Sequence, residues 1–208
     1  MRHASSQALY DYWNGCRGMR AAPERAEIDP AAIRHILADT VVVQIDLIEQ
    51  SQFRLAGTRV CALFGREIRG EPFLPFWHAE SVAGLRRALA AVTDGAGGIV
   101  GSAVGASQAG DRVDLEVLLL PLLGAGQART AVIGVLAPLS PTYWLGTHPL
   151  TTLRFGRARL VGANAASRPQ RPAPPSVTAD SGRRIGGFVV YDGGRQGPAA
   201  ETFLPPAG

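Results

Sequence analysis

Two cysteines, four histidines and seventeen carboxylates are the side chains that could do chemistry in this chain. A zinc site needs several Cys or His ligands at short spacing. Cys16 and Cys61 stand far apart, and His3, His35, His78 and His148 are scattered. The two cysteines therefore read as reduced thiols that pack as small apolar side chains. The sequence contains no Gly-x-Ser-x-Gly nucleophile elbow, no Gly-x-Gly-x-x-Gly loop and no P-loop lysine, since every basic residue is Arg. Asp114 and Glu116 lie two apart on a predicted strand and share a face. An acid–base pair would need a cleft opposite them, so a solvated outer face is their expected setting. No catalytic or metal-binding set is predicted.

The elements that would position any site follow from hydrophobic periodicity. Leu9, Tyr12, Trp13 and Cys16 fall at helical spacing and make one apolar stripe, with Ser5 or Ser6 as N-cap. Asp29-Pro30 signals a second, short helix through Ile33 and Leu37. Residues 40–46 (TVVVQID) are apolar on nearly both faces and read as a central strand. Residues 52–56 (QFRLA) alternate, with Phe53 and Leu55 inward. A helical stretch follows, most regular at 81–93, where Val82, Leu85, Leu89 and Val92 line one face.

Three strands then come at hairpin spacing: 98–106, rich in small residues; 112–122, which ends or bulges at Pro121; and 130–139, apolar on both faces. Turn residues at 108–111 and 124–129 connect them. The two strands most apolar on both faces are the first and the last. Burial predicts that they are central neighbours in one antiparallel sheet, with the polar and Gly-rich strands outward. Beyond Pro141 the pattern decays. Residues 164–182 are rich in Ala, Ser, Arg and Pro and read as disordered, and residues 185–194 offer one isolated strand.

The net charge of +4 is unevenly spread. Residues 1–150 hold 13 Arg against 14 acidic residues, whereas residues 151–208 hold 8 Arg against 3. The basic excess sits in the tail rather than in a stripe across the folded part, so a nucleic-acid-binding face is not predicted. A weak attraction of the tail to acidic surfaces is the remaining electrostatic role. No stretch reaches the roughly 18 apolar residues of a membrane span, and the N-terminus lacks a secretory signal. The expected location is the cytoplasm, without membrane insertion.

Two strands, a helical crossover and a three-stranded meander form the topology of the PAS fold, and the local sequence resembles PAS domains as well. Residues 56–72 (AGTRVCALFGREIRGEP) are similar to the PAS stretch in which a short helix ends in Phe64-Gly65, then an acidic residue and Gly precede a Pro, here Glu67, Gly70 and Pro72. Residues 9–13 (LYDYW), 53–58 (FRLAGT), 116–122 (EVLLLPL), 143–146 (YWLG) and 189–194 (VVYDGG) resemble a divergent bacterial PAS subfamily of stand-alone proteins.

The resemblance implies an α+β fold: a single antiparallel five-stranded sheet, order 2-1-5-4-3, with the helical crossover on one face and an N-terminal helix. It implies an N-terminal flank at 1–38, a PAS-like domain at 39–155, and an Arg- and Pro-rich tail at 156–208 with one short strand near 185–192. The implied function is a non-catalytic sensory or regulatory module that works through dimerisation and contact with a signalling partner, gated by a small apolar ligand. A small α+β enzyme or ligand carrier using the same cavity is the alternative.

In that fold Cys61, Phe64, Phe73, Phe76, Trp77, Leu85, Leu89 and Val117 would surround the cavity, either as a ligand pocket or as a filled core. Leu9, Tyr12, Trp13 and Cys16 would pack on the chain's own sheet or pair two copies across a two-fold. No cofactor is predicted. Cys61 lacks the Asn, Arg and Gln that accompany the cysteine of flavin-binding PAS domains, and His78, beside Trp77, reads as a helix-start histidine rather than a haem ligand.

Overall fold

Residues 40–44 and 131–138 are apolar at almost every position, and in the computed structural model they lie side by side. The structure describes residues 1–45, 47–95, 97–124, 131–162, 182–185 and 188–191. The paired strands are β1 (Thr40–Gln44) and β5 (Ala131–Pro138), with Val42 opposite Ile133. Around them run β2 (Gln52–Ala56), β3 (Gly98–Ser107), β4 (Arg112–Leu122) and β6 (Leu150–Val161), giving the antiparallel order β2-β1-β5-β4-β3-β6. The first five strands take the expected 2-1-5-4-3 arrangement.

The sixth strand is a correction. β6 pairs with β3, so the Gly-rich strand is internal and the sheet continues past residue 155. Three smaller corrections have local causes. In β2 a bulge at Arg54 sets Phe53 opposite Val43 but Leu55 opposite Val42, turning Leu55 to the other face, where it is exposed. β4 runs on through Pro121, because beyond Leu119 it has only β5 beside it and the missing N–H falls where a ladder bond is dispensable. Residues 29–39 form successive tight turns closed by i to i+3 bonds, such as Ile36 N–H to the Ile33 carbonyl, ending in a 3-10 turn at Leu37–Asp39 instead of an α-helix.

Both faces of the sheet are covered. In β4, Val113, Leu115, Val117 and Leu119 join the core under α2 (Thr58–Phe64) and α3 (Ala79–Thr93), while Leu118, Leu120 and Leu122 join the core under α1 (Ala4–Arg17). Leu9 and Trp13 of α1 are fully buried there, and the Trp13 indole N–H donates to the Pro121 carbonyl at 2.8 Å. The N-cap of α1 is His3, whose Nδ1 accepts from Ser5 N–H, so neither serine caps the helix. Because the start of α1 crosses this face, Glu116 is not solvated: it is buried and accepts the main-chain N–H groups of Arg2 at 2.7 Å and His3 at 3.0 Å. Asp114, on the same face, stays exposed.

Residues 169–208 form a separate unit that holds β7 (Gly182–Ile185) and β8 (Phe188–Tyr191), antiparallel with Ile185 opposite Phe188. Two strands stand where one was expected. The connection at 125–130 and the low-complexity residues 164–181 lie outside the described residues, as do Asp192 to Gly194 of the late motif.

Trp13→Ala removes the largest side chain under α1 and leaves the Pro121 carbonyl without its donor. The expected loss is about 3–5 kcal/mol, read from the denaturant midpoint.

Candidate functional site

The crossover between β2 and α3 carries four aromatic side chains inward, Phe64, Phe73, Phe76 and Trp77, all of them buried. Phe73 sits just before a 3-10 turn at Leu74–Phe76, and Trp77 follows it, so three rings leave one tight bend toward the sheet. Phe53 meets Phe73 and Phe76 edge-on at centroid distances of 5.2 and 5.3 Å. Phe64 meets Phe76 at 4.9 Å, Phe73 meets Trp77 at 5.7 Å, and Trp77 meets Phe155 at 5.8 Å. Each is an edge-to-face contact, the arrangement the ring quadrupole favours. Leu85 and Leu89 of α3 and Val117 of β4 are buried in the same core. The structure thus brings together the aromatic and aliphatic residues expected around a cavity, with ring against ring.

Phe53, Phe155 and Trp144 belong to this core and were not among the candidate site residues. Phe53 could have been found from its inward phase on β2. Phe155 carries no such signal, because the Arg and small residues around it in β6 show no apolar alternation. Beside the cluster lies a cleft of about 380 Å³ that reaches Phe64 and Phe76. Its rim carries the Arg66–Glu71 ion pair, its far wall is Pro149 to Thr151, and the Arg66 guanidinium stacks 5.4 Å from the Phe76 ring.

One polar anchor and one close backbone approach hold the crossover. Asp39 is buried at the start of β1 and accepts both Nε and an NH2 of Arg59 (2.6 and 2.7 Å) and the Ser5 hydroxyl (2.6 Å). One carboxylate therefore ties α1, β1 and α2 together. Burial alone would raise its pKa, but the guanidinium and hydroxyl outweigh burial and hold it below the usual aspartate value. At Gly57 a Cβ would stand 2.1 Å from the Leu37 carbonyl oxygen, so α2 can start against this chain segment only without a side chain.

The remaining candidates lie apart from the rings' centre or outside this core. Cys61 is half-buried at its margin, 3.4 Å from Glu67 Oε1 and 3.7 Å from the Ala56 carbonyl. Burial pushes its thiol pKa up, so it stays protonated and donates. His78 is the N-cap residue of α3, and its main-chain N–H donates to the Leu153 carbonyl. His148 Nδ1 lies 2.7 Å from Asp111, which also accepts the Ser107 hydroxyl. This cluster fastens the β3–β4 hairpin to the segment leading into β6. Of the stripe expected as an interface, Leu9 and Trp13 are used up by intrachain packing, because α1 lies on its own sheet. Tyr12 and Cys16 are half-buried at the helix margin. No metal-binding cluster occurs among the described residues.

A family model described as PAS domain matches residues 1–137, about two thirds of the chain. The chain belongs to the PAS domain family. No curated protein matches it. Among solved structures, a light-oxygen-voltage domain studied with a flavin analogue is 12% identical over 54% of this chain and 85% of its own, with a TM-score of 0.43. The Rhodobacter sphaeroides light-oxygen-voltage protein is 13% identical over 56% and 71% of the two chains (TM-score 0.41). A PAS domain from Colwellia psychrerythraea is 14% identical over 53% and 97% (TM-score 0.41).

In this PAS domain the motif at 56–72 has a physical explanation at Gly65, Glu67 and Gly70. Gly65 ends α2 at a left-handed φ of 65°. Glu67 accepts the N–H groups of Ile68 and Arg69 and fixes the turn that follows. Residues 70–73 then run along the start of β2, with Phe53 N–H donating to the Glu71 carbonyl and Gly70 N–H to the Phe53 carbonyl, so the outer edge of β2 is covered at Ser51–Phe53.

Asp39→Asn should destabilise the PAS domain by about 1–3 kcal/mol, discounted for the exposure of Arg59. The native pKa is lowered, so the carboxylate's contribution is complete above the ordinary aspartate pKa of about 3.9 and disappears as pH falls through the native value. The stability gap between wild type and Asp39→Asn, measured by denaturation along a pH series, should therefore close on acidification.

Proposed function

We propose that this PAS domain is a non-catalytic sensory or regulatory module of the cytoplasm. In this reading a small apolar ligand seats in the aromatic core, and the response is read out as dimerisation and contact with a signalling protein. The observation that carries it is the two-sided use of β4 and β5. Leu115, Val117, Leu119, Val132 and Leu136 touch the core under the crossover, while Leu118, Leu120, Leu122, Ile133 and Val135 touch the core under α1. Protein interiors are close-packed, so a displaced ring on one face shifts what packs on the other. The flank at 1–38 is then the transmitting element, and Tyr12 and Cys16 at the margin of α1 are where a second copy responds.

The character of the core supports a sensor over an enzyme or carrier. Its lining is aromatic and aliphatic, with Cys61 at the edge and held protonated, whereas an enzyme of this size would place several perturbed titratable groups in its cavity. No helix among the described residues is long and apolar enough to cross a membrane.

Mass spectrometry of protein denatured directly after purification is expected to release a small apolar compound in stoichiometric amount. Light scattering on the same material should give the mass of a dimer. Protein that carries no compound and remains a monomer at high micromolar concentration would remove the ligand and the dimer together.

A further inference from the structure

The two edges of the sheet are treated differently. That of β2 is covered at Ser51–Phe53 by residues 70–73. On β6 the bridge from Trp77 and His78 reaches only Leu153. From Arg154 to Leu160, no backbone group among the described residues pairs with the outer edge of β6, and all but Phe155 are exposed. This open stretch carries Arg154, Arg157 and Arg159. Arg154 is paired with Glu80, but Arg157 and Arg159 have no acidic partner among the described residues. Both line a cleft of about 300 Å³ together with Arg2. The acid in that cleft, Glu116, is already occupied by the N–H groups of Arg2 and His3.

We propose that the outer edge of β6, from Arg154 to Leu160, is a docking site for an acidic, extended segment of a partner protein that adds to the sheet as a further strand. An open strand edge presents N–H and C=O groups in a row that another strand matches, and neighbouring side chains then select the sequence. Here selection is by charge. Two copies meeting edge to edge would oppose arginines with arginines, which is unfavourable. The chain's own later strand, Gly182–Ile185 (GRRI), repeats the mismatch with two more arginines. The bulge where Gly156 and Arg157 face Ser102 also discourages self-pairing. A phosphodiester backbone could satisfy the guanidinium groups but not the row of main-chain donors and acceptors.

This proposal names a partner chemistry for the contact role argued above. The two fail separately, because co-purification and light scattering do not depend on this edge. The test is fluorescence anisotropy on the full chain with short labelled peptides. An alternating Glu-Val peptide should bind, and more weakly as salt rises. A Glu-Pro peptide of equal charge, which lacks half the backbone donors, and a Lys-Val peptide should bind at least about tenfold more weakly. R157E/R159E should lose Glu-Val binding by a similar factor and gain binding to Lys-Val, a gain that an unfolded protein would not show. R25E/R34E, remote changes of the same charge, should bind Glu-Val as wild type does.

Four results would each overturn the proposal: no binding of Glu-Val at millimolar peptide; equal binding of Glu-Val and Glu-Pro; unchanged binding in R157E/R159E; or tighter binding of a single-stranded DNA oligonucleotide than of Glu-Val, lost in the same variant. The second result would leave only charge capture, and the fourth would make the site one for nucleic acid.

Discussion

The central strands of this sheet have no solvent face, and most of the structure follows from that. Every residue of β4 from Leu115 to Leu122 is buried, so each face must be roofed by other parts of the chain. The crossover roofs one face with aromatic rings. The N-terminal helix roofs the other, which is why Leu9 and Trp13 are buried within their own chain. The same demand brings polar groups inside, where they must be paired. Glu116 meets the main-chain N–H groups of Arg2 and His3, the Pro121 carbonyl meets the Trp13 indole, and Asp39 meets Arg59 and Ser5. At the point where both roofs approach β1, Asp39 holds them to the same strand.

What the sequence revealed was what alternation and two-sided apolarity encode. TVVVQ and AVIGVLAP have no polar face, so they had to be central and adjacent, and they are. The stripe of α3 and the turn chemistry at Gln108–Asp111 are equally local signals. β6 was hidden because its exposed positions are mostly Arg and small residues, Thr151, Arg154, Gly156, Arg157, Ala158 and Arg159, the composition of a solvated tail. Its few inward residues, Leu150, Leu153, Phe155 and Val161, are too sparse to show a period. Leu55 was misplaced because a bulge inverts the phase without leaving a mark in the residue types. Glu116 was misplaced because its carboxylate is satisfied by main-chain donors more than a hundred residues away. The aromatic residues of the candidate site were legible as a group. Their mutual edge-to-face packing is a property of three-dimensional placement, and no spacing rule contains it.

That packing sets the terms on which a ligand could act. Each edge-to-face contact is worth about 0.5–1.5 kcal/mol beyond the area it buries, so a compound entering among Phe53, Phe64, Phe73, Phe76 and Trp77 must replace several such contacts with its own. Only a molecule of matching shape and low polarity can do so, and on entering it must turn at least one ring. The ring nearest solvent is Phe76, beneath Arg66 and beside the cleft. Its displacement would strain the Phe53 contact and through it the bulged β2–β1 ladder, whose other end is anchored at Asp39 to both α1 and α2. On the proposed function, selectivity for a ligand and a response at the N-terminal helix would therefore both follow from one packed core.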